Sequence, residues 1–259
     1  MKRSLLALLA VAIFGLVKLP FEAGLTKEFS KAHFYSGQLN LDLRKSIGQA
    51  AFIAAFSGFR SAVADGLWIR AHIAWEHTQW GVMKEYFDAT TALQPRALLF
   101  WEGASWHMAY NASVAAMENR QQPREALRIK ARNEYYKIGE EYLLRGIAYN
   151  EDRALLYDRL GLLYADKMKD HCKASWAYFE AAARPDAMAY VHRLAVYELA
   201  RCPGHDAQAY KMLVDLFHKG KQERLPTLLK LIDQLQIKLD IPPTERIDIQ
   251  ADLREATPR

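Results

Sequence analysis

The chain has 259 residues, enough for one large domain or two small ones. It is 51% hydrophobic and 25% charged, with 6 Trp, 13 Tyr and 11 Phe, which excludes a disordered polymer and promises a substantial core. The net charge of +5 sits at one end: residues 1–60 hold eight cations (Lys2, Arg3, Lys18, Lys27, Lys31, Arg44, Lys45, Arg60) against Glu22, Glu28 and Asp42, leaving 27 basic and 27 acidic side chains for the rest, a balance that argues against nucleic-acid binding.

The chain opens MKRSLLALLAVAIFGLVKLPFEAGL. Lys2 and Arg3 precede an uncharged run from Ser4 to Val17, a length that suits a signal peptide. No small-residue cleavage site follows, because Lys18, Pro20 and Glu22 crowd the place for one. With Lys18 snorkelling, Leu5 to about Leu25 would span a bilayer as an uncleaved anchor. The expectation is an anchor over 1–25 with Lys2 and Arg3 cytoplasmic and the body exported. A cleaved signal and a buried N-terminal helix remain the alternatives. Residues 26–60 read as a linker and packing helix, since Arg60 and Asp65 interrupt the apolar stretch 47–69 and rule out a second span.

From residue 61 the chain falls into helix-length pieces separated by turn signals near Gln79–Gly81, Gln94-Pro95, Gln121–Pro123, Asn150–Asp152, Lys169–His171, Arg184-Pro185, Cys202–Gly204 and Lys219–Gly220. None alternates apolar and polar residues with period two, so strands are not expected. The predicted class is all-α, built of helix hairpins with short loops.

One hairpin carries a distinctive stripe. In YDRLGLLYADK (157–167), Tyr157, Leu160, Gly161 and Tyr164 share one helix face. Glycine there costs the helix about 1 kcal/mol relative to alanine, which a close approach of the partner helix would offset. The next helix places Ala174, Tyr178 and Ala181 on one face and is followed by Pro185. This pattern resembles the tetratricopeptide repeat, with one residue inserted near Lys169 and one deleted before Pro185. Weaker echoes are Leu67, Ala71, Ala74, Met83, Phe87, Thr90 and Pro95; Trp101, Ala104, Ser105 and Met108; and Tyr190, Leu194, Tyr197, Tyr210, Leu213 and Phe217. The resemblance covers roughly 60–220 and implies an α-solenoid of antiparallel hairpins over 61–239, with 225–239 as its capping helix. An unrelated helical bundle is the alternative. The polar tail 240–259 is expected to dock loosely or not at all.

Under the hairpin reading, Cys172 opens one helix and Cys202 closes the next, so an exported body would join them in a disulfide. Two unrelated buried thiols are the alternative. The resemblance also implies a concave groove lined by first helices, falling here on Trp68, His72, Trp75 and Glu76, then on Glu102, Trp106 and Tyr110. The tryptophans are equally readable as core. Arg120, Arg124, Arg128 and Arg132 recur every four residues and fit either a solvated face balanced by Glu118, Glu125 and Glu134 or a grip on an acidic partner or headgroups. No catalytic, cofactor or metal motif is present: HIAWEH sets His72 and His77 five apart, away from a zinc pair's spacing. Asn111-Ala-Ser is a formal glycosylation sequon.

The expected function is a scaffold, not an enzyme: a protein-binding adaptor in the bacterial envelope, anchored in the inner membrane and facing the periplasm. Its partners would be other proteins of an envelope complex, with no nucleic acid and no cofactor. An exported helical enzyme or ligand-binding protein using His72, Glu76 and His107 is the other reading.

Overall fold

The computed structural model describes residues 59–249 and, ahead of them, residues 20, 24, 25, 27–29, 31, 32 and 48. The anchor expected over 1–25 and the packing helix expected over 26–60 therefore lie almost wholly outside the described residues. Among the described residues there are helices and no strands, and no helix is long and apolar enough to cross a membrane. The chain divides into two compact units between Phe100 and Trp101.

In the first unit, α1 (Arg60–Glu76) and α2 (Trp80–Leu93) form a hairpin. Thr78 turns the chain with φ 54°, a left-handed conformation that ends α1 within one residue. Ala64, Leu67, Ala71 and Ala74 form the buried stripe of α1 and Met83, Phe87, Thr90 and Leu93 lie buried on α2. Alanines at three of those four α1 positions let the two backbones approach.

The second unit begins inside α3 (Leu98–Trp106), which runs through a π-helical stretch (His107–Ala112) into α4 (Ser113–Glu118). It is followed by α5 (Glu125–Tyr149), α6 (Ala154–Leu163) with a second π stretch (Tyr164–Met168), α7 (His171–Ala182), α8 (Ala189–Leu199), α9 (Asp206–His218), a 3₁₀ turn (Lys221–Glu223) and α10 (Pro226–Lys238). Successive elements pack on one another, and end-to-start links show the pairs to be antiparallel. Arg153 and the backbone N–H of Ala154, at the start of α6, both donate to Asp186 beyond the end of α7. Lys238, at the end of α10, reaches Asp206 at the start of α9.

Glycine makes two of these packings possible. A Cβ on Gly161 would stand 2.7 Å from the Tyr178 ring, and one on Gly146 would stand 2.6 Å from Trp101. The Tyr157, Leu160, Gly161 and Tyr164 stripe is buried against α7, where Ala174, Tyr178 and Ala181 are buried in turn. The helix ends in the π stretch at Tyr164–Met168, whose wider turn holds more residues than a regular α turn, and Lys169 closes it in the left-handed conformation at φ 56°.

Cys172 and Cys202 are bonded, with Cα atoms 4.8 Å apart, and join the start of α7 to the chain just past α8. At the far end, Leu228, Leu229, Leu231, Ile232 and Leu235 of α10 share a core with Leu213, Leu216 and Phe217 of α9. Of the tail expected over 240–259, residues 240–249 are described, and their end docks on this core. Ile249 is buried in that core, and the Ile247 N–H donates to Gln236 Oε1 at 2.7 Å. Ile247 and Ile249, two residues apart in an otherwise polar run, supply the apolar edge that holds it.

Candidate functional site

The second unit carries a connected polar and aromatic cluster built from α3, α6 and α8. Arg159 is its centre. Its Nε donates to Glu102 Oε1 on α3 at 2.5 Å, and its NH1 donates to the neighbouring Asp158 at 2.9 Å. Tyr190, on α8, donates its hydroxyl to the same Asp158 carboxylate at 3.2 Å. One arginine and one buried aspartate thus tie three helices together. Burial pushes the Asp158 carboxyl up and Arg159 opposes that push, the expected balance for a carboxylate taken from water beside a cation. Asp158 is only 6% exposed, so its charge needs both partners.

Beside this network lies an aromatic shelf. The Trp106 and Tyr110 rings stack at 4.3 Å and 12°, and Trp106 is 49% exposed. Lys167 Nζ lies 4.5 Å from the Tyr110 ring centroid, a cation–π contact. Burial, then the charge of Asp166, pushes the Tyr110 hydroxyl up to about 12. Tyr110 and Lys167 each sit in a π stretch, and Trp106 immediately precedes one. The widened turns re-aim these side chains relative to a regular helix, a common use of π segments at functional surfaces. Leu162 and Tyr190 add exposed apolar surface to the same helices.

Of the expected groove residues, Glu102, Trp106 and Tyr110 belong to this face. Trp68, His72, Trp75 and Glu76 lie in the first unit. There Trp68 is half-buried, 5.1 Å from Phe87 and 5.2 Å from Phe100 between ring centroids, and packs as core. The His72 ring stands edge-on to Trp68 at 4.9 Å, and its Nδ1 is 3.0 Å from the Trp68 carbonyl oxygen, so an Nδ1–H donates there. Trp75 and Glu76 are exposed. His107 is buried, and Asn111 Nδ2 donates to its Nδ1 at 3.0 Å, which engages the sequon amide within the helix. Among the described residues no group of three or more His, Cys, Asp or Glu is placed to hold a metal ion.

The arginine stripe divides. Arg120 and Arg124 are exposed, whereas Arg128 and Arg132 are half-buried, with Arg132 5.6 Å from the Tyr136 ring centroid. The four arginines therefore do not share one degree of exposure.

Asp158, Arg159 and Lys167 were not among the residues the sequence singled out, and Tyr190 was read only as part of a weak repeat stripe. A signal was there, since Asp158, Arg159 and Lys167 all lie inside YDRLGLLYADK. Comparison with protein-family models, with curated proteins and with solved structures found no match to this chain.

Proposed function

We propose that this protein is a membrane-tethered, tetratricopeptide-like adaptor of the bacterial cell envelope that holds a partner protein against the α3–α6–α8 face. The observation that carries this reading is the exposed Trp106, stacked on Tyr110 beneath Lys167 and flanked by the Glu102–Arg159–Asp158–Tyr190 network. Interface energy concentrates on aromatic and arginine anchors set among ordered polar groups, and this face supplies both on a pre-organised scaffold. Consecutive antiparallel hairpins with glycine-enabled packing support a solenoid. The basic, apolar N-terminal sequence supports tethering, and the Cys172–Cys202 bond accords with an exported, oxidising setting.

Trp106→Ala combined with Tyr110→Ala tests the reading. The double variant should keep its helical circular dichroism and lose at least tenfold in affinity for the partner recovered with the wild-type chain. Unchanged recovery would remove this face from the function.

A further inference from the structure

Helix α5 is two different objects along its length. Its C-terminal half carries all of its buried residues, Gly139, Tyr142, Leu143, Gly146 and Ile147. From Glu125 to Ile138 none is buried, although at 1.5 Å per residue this is roughly 20 Å of helix. The short α4 packs along it, with Ser113 as its one buried residue, so α4, the loop 119–124 and the first half of α5 form a thin two-helix arm.

Charge is segregated the same way. Residues 119–138 hold six cations (Arg120, Arg124, Arg128, Lys130, Arg132, Lys137) against Glu125 and Glu134. Residues 139–152 reverse the sign, with Glu140, Glu141, Glu151 and Asp152 against Arg145. On this segment Arg120, Arg124, Lys130 and Lys137 are exposed, with Lys130 3.9 Å from Glu134, Leu127 is 42% exposed, and Val114 on the companion helix is 46% exposed. Tyr135 and Tyr136 lie half-buried on the same segment.

We infer that this arm is a membrane-surface contact that seats on anionic phospholipid headgroups. Cations on long stems beside isolated aliphatic side chains, with tyrosines at the level of the charge, are the composition of an interfacial segment. Guanidinium and ammonium groups meet phosphate directly. Four exposed cations give only weak binding alone; the inference rests on the proposed tether, which would hold the chain at the same bilayer at high local concentration. An acidic protein groove would be served by a cationic stripe without exposed Leu127 and Val114, and this favours lipid as the occupant. The contact is independent of the α3–α6–α8 partner face.

The described part of the chain contains no free thiol, so a cysteine placed at Leu127 can carry a fluorophore on the intact disulfide-bonded protein. The full chain is mixed with vesicles of phosphatidylcholine alone, or of phosphatidylcholine and phosphatidylglycerol, each doped with nitroxide lipid. The same label at Asp215, exposed on α9, serves as control. The inference expects quenching at position 127 in the anionic vesicles, several-fold above that at 215. Quenching at 127 should fall at least about fivefold for each of Arg124→Glu and Lys130→Glu, since losing one cation alone costs about 1 kcal/mol, with ellipticity unchanged. Equal quenching at both positions, indifference to phosphatidylglycerol, or insensitivity to the charge reversals would overturn it.

Discussion

Gly161 and Asp186 show how much a single position carries. Gly161 gives up helix propensity so that the Tyr178 ring can lie against the α6 backbone, and the ring leaves no room for a methyl group. Gly161→Ala should therefore lower stability by about 1–3 kcal/mol through overpacking, although alanine is the better helix former on an exposed site. Denaturant unfolding measures it, and an unchanged or raised midpoint would show that Tyr178 can move aside. Asp186 lies in the turn after α7 yet accepts from the Ala154 N–H and from Arg153, capping α6 from outside. The Arg153 hydrogen bond, then the Ala154 amide, hold its carboxyl below the usual value. A folded-state value depressed below the unfolded one means that the contribution is present above pH about 3.9 and is lost as pH falls through the folded value. Asp186→Asn should flatten that acid limb of the stability curve while leaving its shape above pH 5 unchanged, as pH-dependent unfolding would record.

Among elements, the α6–α7–α8 succession is packed at both interfaces and, at the second, joined by a covalent bond as well. The bond between Cys172 and Cys202 closes a 30-residue loop over the α7–α8 pair. Cys172→Ser with Cys202→Ser should cost about 2–4 kcal/mol, seen as a lower thermal midpoint that reduction of the wild type reproduces. Much of this architecture was legible in the sequence because it depends on local signals: turn residues at Pro185, Pro203 and Gly220 end helices, and Tyr157, Leu160, Gly161 and Tyr164 announce a buried stripe. The candidate site was less legible. Glu102 and Arg159 are 57 residues apart, and no period of 3.6 predicts an ion pair over that distance. Trp68 and Trp106 look alike in sequence, yet one packs between Phe87 and Phe100 and the other stands out on α3, a difference set by which neighbours the hairpin brings up. Docking of residues 247–249 was hard to read for a related reason, because two isoleucines are few in a polar run but enough to pack on the α9–α10 core.

At the scale of the molecule, three features lie at different places and ask for different contacts. The N-terminal sequence suits a bilayer, the α4–α5 arm concentrates cations, and the α3–α6–α8 face offers a tryptophan among ordered charges. Together they fit a protein that is held at a membrane and holds something else there. The most direct test of that claim places a photo-reactive amino acid at Trp106 in intact membranes and another at Trp176, which is equally exposed, at 49%, on α7. The account predicts one recurring protein adduct from position 106, lost when Arg159→Met unties the face, and none from position 176. Adducts that are equally frequent and equally varied at both positions, or none at 106 in a correctly folded chain, would contradict it.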